Sequence, residues 1–156
     1  MSHFQQRRDS GTTLSPPDGP YILIAEDNWG DVSLIELALA EQQVALKVVV
    51  QPDGEKAIHF AGEVDAGWAA APELVILDLN LPRIDGRIVL QRIRESEAWR
   101  NVPVIVFSSS DSARDRQVAM SLGATMYLRK PSNLDEFLQV GKLLKQQIER
   151  RSAAAG

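Results

Sequence analysis

The 156-residue chain is 44% apolar and 24% charged, a globular composition rather than that of a chain disordered throughout. Its 17 basic against 21 acidic side chains leave a net charge of −4, which weighs against sequence-independent nucleic-acid binding. The absence of cysteine excludes disulfides, thiolate metal sites and cysteine nucleophiles, and no apolar run approaches the roughly 18 residues of a membrane helix.

Residues 1–20 carry Gln5-Gln6, Arg7-Arg8, Gly11, Gly19 and three prolines with almost no apolar content. Such a stretch cannot offset its ordering entropy and reads as a mobile tail. Arg7-Arg8 is followed by polar Asp9–Thr13 instead of an apolar export region, so a secretion signal is rejected and a cytoplasmic protein expected. Then come five short apolar runs, Tyr21–Ala25, Leu46–Val50, Leu74–Leu77, Val104–Phe107 and Ala124–Leu128. Most are apolar on successive residues, the pattern of strands buried on both faces of a parallel sheet. Amphipathic segments follow them at roughly 31–43, 54–63, 86–97, 111–122 and 133–151. The last opens at Ser132 or Asn133 and stripes Leu134, Phe137, Leu138, Leu144 and Ile148 at helical spacing, with Gly141 between. Val140 and Leu143 fall off that stripe and are expected to help form a partner or dimer surface. A small polar end, 152–156, closes the chain, leaving 21–151 as one domain with no room for an output module.

Five strands each followed by a helix predict a doubly wound α/β sheet with right-handed crossovers. Ligands bind such sheets beyond the carboxyl ends of the strands. There the sequence places Glu26-Asp27, Asp78, Ser108-Ser109-Ser110 and Lys130-Pro131. Three neighbouring carboxylates repel one another and call for a hard dication; Mg²⁺ suits carboxylate oxygen, and a set without His or Cys is a poor zinc site. With Glu26 and Asp27 neutralised, Asp78 can serve as nucleophile toward a phosphoryl donor, with an ammonium and a hydroxyl opposite. Each acid taken alone reads more simply as a helix cap. Their joint placement at strand ends carries the functional reading.

The segments Ile24–Asn28, Val75–Pro82, Asp85-Gly86, Val104–Ser109 and Tyr127–Pro131, in this order and spacing, resemble the CheY-like receiver domain of bacterial two-component response regulators. Glu26–Val32 with Asp78–Pro82 resembles more particularly the stand-alone regulators paired with phytochrome-type histidine kinases. The resemblance implies a flavodoxin-like (βα)5 fold with a five-stranded sheet. It also implies that Asp78 accepts phosphate from a histidine kinase or phosphotransfer protein, and that Mg²⁺ is held by Glu26, Asp27, Asp78 and the Asn80 backbone carbonyl. Lys130 would contact a phosphoryl oxygen, aimed by a cis peptide at Pro131. Ser108 would hydrogen-bond the phosphoryl group, with small Ser109 beside it leaving an opening, and Tyr127 would change rotamer as the switch. The output is a protein target, with a homodimer through the face of the fourth helix, fifth strand and last helix as a further expectation; no nucleic acid or membrane partner is implied. Such a protein is a phosphoacceptor switch rather than an enzyme.

Two departures stand out. Glu26 replaces the more usual aspartate, and Trp29 stands where this subgroup often has proline, which predicts an indole over the metal rim. A Mg²⁺-dependent aspartyl-phosphate phosphohydrolase is the alternative from another class. Dehalogenase-like phosphatases, however, want an aspartate where this chain has Asn80. A phosphate-independent binding module on the same fold is the third reading. His3 and His59 lack partners at ligand spacing, and Trp68 is expected to pack against the sheet edge.

Overall fold

In the computed structural model, which describes residues 12–13 and 15–155, six parallel strands form one sheet flanked by five helices. In chain order these are β1 (Thr12–Thr13), β2 (Tyr21–Ala25), α1 (Trp29–Glu41), β3 (Lys47–Gln51), α2 (Gly54–Asp65) and β4 (Leu74–Leu77). There follow α3 (Gly86–Glu95), a 3₁₀ turn (Glu97–Trp99), β5 (Val104–Ser108), α4 (Ala113–Ser121), β6 (Met126–Arg129) and α5 (Leu134–Ala155). The sheet order is β1-β3-β2-β4-β5-β6, so the winding direction reverses between β2 and β4, and a crevice opens above their carboxyl ends.

The five long strands are those the apolar runs predict, and strand alternation explains why the runs are continuous. Tyr21, Leu23 and Ala25 of β2 enter one core layer, and Ile22 and Ile24 enter the other. β4 divides in the same way into Val75 and Leu77 against Leu74 and Ile76. One layer lies under α2, α3 and α4 and holds Phe60, Leu90, Ile93 and the fully buried Trp99. The other lies under α1 and α5 and holds Val32, Ile35, Leu39, Phe137, Val140 and Leu144. α1 and α5 meet closely because Gly141 carries no side chain: a Cβ there would stand 2.4 Å from the Ala38 carbonyl oxygen.

Several expectations are corrected. The sheet gains a sixth, two-residue strand, because Thr12–Thr13 pair with Val48 and Val49 on the open edge of β3. An unpaired sheet edge offers backbone hydrogen-bonding groups that a short strand can satisfy. The mobile-tail expectation otherwise falls largely on residues 1–11 and 14, which lie outside the described residues. The fifth expected strand starts later, at Met126, because Gly123, at φ +102°, and Ala124 close the turn after α4 by bonding back to Met120 and Ala119. α5 continues through Ala155 where a tail from 152 was expected, since alanines extend a helix readily. Val140 is buried with Phe137 and Leu144 instead of forming a partner surface, because the α1 contact widens the buried face of α5 beyond one stripe. Trp68 is 83% exposed in the loop after α2 and does not pack on the sheet edge.

Candidate functional site

The crevice is acidic because the chain places carboxylates where β2 and β4 end. Glu26 follows β2 directly and is buried; Asp27 next to it is exposed; Asp78 follows β4 and is buried. An oxygen from each of the three carboxylates lies within 4.8 Å of the others. Short local bonds orient them. The Asn28 N–H donates to Glu26 Oε2 at 3.1 Å, and the Asn80 N–H donates to Asp78 Oδ1 at 3.0 Å. The β4–α3 loop is drawn tightly into place: a Cβ on Gly86 would lie 2.2 Å from the Asp78 carbonyl oxygen, and one on Gly54 would lie 1.9 Å from that of Ile84.

Lys130, immediately after β6, reaches back across the rim. Its Nζ lies 2.7 Å from Glu26 Oε1, 2.8 Å from Asp31 Oδ2 and 3.1 Å from Asp78 Oδ2. Asp31, in the first turn of α1, is the acid that the sequence reading did not assign. Its signal was present, three residues beyond the Asn28 cap, where an acid also reads as ordinary helix-dipole compensation. Burial, assisted by the charge of Asp78, pushes the Glu26 carboxyl up to about 7 despite the opposing pull of Lys130. Burial works against the Lys130 charge too, but the carboxylates of Asp31 and Glu26 outweigh it and hold the ammonium above its ordinary range.

A donor set of three carboxylates with no His or Cys fits a hard divalent cation. Glu26, Asp27 and Asp78 are the residues that would hold it, with Lys130 as resident counter-ion to two of them. The glutamate in place of the more usual aspartate still brings an oxygen into the cluster, so its extra methylene is accommodated.

The opposite side of the rim is built from hydroxyls. Ser108, the last residue of β5, is fully buried, and its Oγ accepts from the Ser110 N–H at 3.1 Å. Ser109 beside it is exposed. Tyr127 is buried and directed toward the α4 side of the sheet, donating its hydroxyl to the Ser110 carbonyl at 2.9 Å. Arg116 of α4 covers its ring, 4.7 Å from the centroid, and donates to its carbonyl.

The expectations for Trp29 and Pro131 are revised, and that of a locally bonded His59 holds. Trp29 packs half-buried against the α1/α5 layer because its position at the first turn of α1 aims it at the sheet. The Lys130–Pro131 peptide is trans. His59 pairs locally with Glu63 at 3.4 Å on the exposed side of α2. Among the described residues, no helix is long and apolar enough to cross a membrane.

A family model described as the response regulator receiver domain matches residues 22–142. The chain is 33% identical over 138 residues to the probable methanogenesis regulatory protein FilR2 of Methanothrix harundinacea, covering 88% of this chain and 89% of that one. It is 31% identical over 122 residues to response regulator Rcp1 of Synechocystis, covering 76% and 82%. Among solved structures it resembles the phosphorylated cyanobacterial phytochrome response regulator RcpA, with TM-score 0.74 and 34% identity over 81% of this chain and 91% of that one. The Mn²⁺-bound form of Rcp1 superposes with TM-score 0.73 at 28% identity, over 81% and 92%.

Proposed function

We propose, for a chain that belongs to the response regulator receiver domain family, that it is a phosphorylation switch in which Asp78 accepts a phosphoryl group from a phosphohistidine. The observation that carries this reading is the setting of one carboxylate. Asp78 stands at the reversal point of the sheet, with Glu26 and Asp27 oxygens within 4.8 Å and an ammonium 3.1 Å away.

In the transfer, an Asp78 carboxylate oxygen attacks phosphorus and the phosphorus–nitrogen bond of the donor breaks. The electron pair returns to the histidine ring, which takes its proton from solvent. Glu26, Asp27 and Asp78, with the Asn80 carbonyl, would hold Mg²⁺, which when bound would supply neutralisation of the phosphoryl oxygens. Lys130 contributes a second positive charge from the β6 side, already desolvated and oriented. Ser108 accepts a bond from the Ser110 N–H, so its own hydroxyl proton is available to a phosphoryl oxygen. The product is an aspartyl phosphate whose presence biases the Ser108–Tyr127 side of the domain, a population shift rather than turnover of a substrate.

The donor is a histidine kinase or phosphotransfer protein, and the similarity to RcpA supports a kinase of the phytochrome type. The output is contact with another protein, in the cytoplasm where such kinases present their phosphohistidine. Incubation with acetyl phosphate and Mg²⁺ followed by intact-mass measurement tests the reading. One phosphoryl group should appear on the native chain, labile to base, and none on Asp78→Asn. Equal labelling of both proteins, or of neither, overturns it.

A further inference from the structure

Beyond the acidic rim, a second polar network links the start of α3 to α4. Asp85 caps the N-terminus of α3, accepting from the Arg87 N–H at 2.8 Å. The Arg87 guanidinium bonds both Asp85 oxygens at 3.1 Å through Nη1, and with Nη2 it crosses to Asp115 Oδ1 on α4 at 2.9 Å. The other Asp115 oxygen, Oδ2, accepts from Ser110 Oγ at 2.6 Å. Ser110 is the hub of the β5–α4 loop: its N–H holds Ser108 Oγ and its carbonyl holds the Tyr127 hydroxyl. A charged chain therefore leads from the helix that starts under Asp78 to the two switch residues, without entering the acidic cluster. Arginine suits the joint because its planar fork holds Asp85 through one nitrogen and Asp115 through the other in a fixed geometry, which the single nitrogen of a lysine ammonium does not reproduce.

We infer that Arg87 and Asp115 are positioning residues for the phosphoryl-transfer site, clasping α4 to α3 so that Ser110 presents the Ser108 hydroxyl to the crevice and keeps Tyr127 inward. This rests on the reading of Asp78 as phosphoacceptor, and it adds two residues that touch neither metal nor phosphoryl group. The geometry allows one carboxylate to transmit the effect. Asp115 takes Arg87 on Oδ1 and Ser110 on Oδ2, so removing Arg87 frees the carboxylate to turn and loosens its hold on Ser110.

The experiment uses the full chain with Arg87→Ala, Arg87→Lys, Asp115→Asn and the Arg87→Ala/Asp115→Asn pair. Two readouts are taken: the acetyl-phosphate labelling rate of Asp78, and the NMR resonances of the Ser110 amide and the Tyr127 ring without phosphoryl donor. Each single change should slow labelling by about tenfold, the scale of a small misplacement at a reacting centre. The pair should be no slower than either single change, since both break one path. Arg87→Lys should recover little, and the Ser110 and Tyr127 resonances should shift in every variant. Unchanged resonances, additive effects in the pair, or full rescue by lysine overturn the clasp. If the native chain itself is not labelled, the phosphoacceptor reading fails, while the resonances still decide whether Arg87 controls Ser110 and Tyr127.

Discussion

Replacing Lys130 by methionine keeps the volume of the side chain and deletes its charge, which isolates the ammonium's part in the acidic rim. The native Nζ sits 2.7, 2.8 and 3.1 Å from three carboxylates, and its side chain is 11% exposed against 3%, 20% and 7% for Glu26, Asp31 and Asp78. At an effective dielectric of about 20, one such contact is worth ~4 kcal/mol before desolvation is counted. Removing one partner of a buried ionic group leaves the others uncompensated and typically costs about 3–5 kcal/mol. Protonation of Glu26 limits the loss. Its carboxyl is raised to about 7 by burial, above its unfolded value, so the folded state binds the extra proton between the two values. Its contribution therefore strengthens as pH falls through 7 and weakens as pH rises. The Lys130→Met protein should lose about 3 kcal/mol or more at pH 8 and distinctly less at pH 6, read as urea midpoints at both values. At pH 8, millimolar Mg²⁺ should stabilise the variant more than the native chain, because no ammonium competes for Glu26 and Asp78. A loss under about 1 kcal/mol, the size expected of an exposed ion pair, would refute the argument. So would a loss that ignores both pH and Mg²⁺.

In the native protein, Mg²⁺ affinity should fall roughly tenfold between pH 8 and pH 6, because the cation needs Glu26 as the carboxylate; a flat profile by calorimetric titration would exclude Glu26 as a ligand. Gly86→Ala forces a Cβ to 2.2 Å from the Asp78 carbonyl oxygen and should cost about 1–3 kcal/mol by denaturant unfolding, along with slower labelling of Asp78. Gly62→Ala, in α2 with nothing within 4 Å of the new Cβ, should instead stabilise by about 0.5–1 kcal/mol. The two glycines responding alike would count against the close approach under Asp78. Trp68→Ser should leave the unfolding free energy within about 0.5 kcal/mol of the native value, since the indole is 83% exposed; a larger loss in calorimetry would mean that the loop is structurally committed.

Much of the architecture was legible because a parallel sheet buried on both faces leaves a strong trace: Tyr21–Ala25 and Leu74–Leu77 begin and end where their apolar runs do. The gathering of Glu26, Asp27, Asp78, Ser108 and Lys130 at the candidate site was legible for the same reason, since each stands at or just beyond a strand end. What escaped depends on tertiary geometry. Asp31 reads locally as a helix-start acid, and only the return of Lys130 from 99 residues away makes it part of the cluster. Arg87 and Asp115 lie 28 residues apart on two different helices, and no periodicity links them. Val140 was misplaced because a single-stripe reading assumes one buried face. Gly141 lets α1 approach so closely that the buried face of α5 widens.

The three tryptophans occupy three different settings: Trp99 is fully buried, Trp29 is half-buried at the first turn of α1, and Trp68 is almost entirely in solvent. Their emission is therefore separable by a water-soluble quencher. Iodide should quench Trp68, the reddest emitter, first, while Trp99 should stay bright and shielded until the domain unfolds, leaving Trp29 as the intermediate component. The chain thus carries an optical probe two residues from Asp27, alongside an internal gauge of global unfolding, and a Mg²⁺ titration of Trp29 emission would test cation entry at the acidic rim without a label.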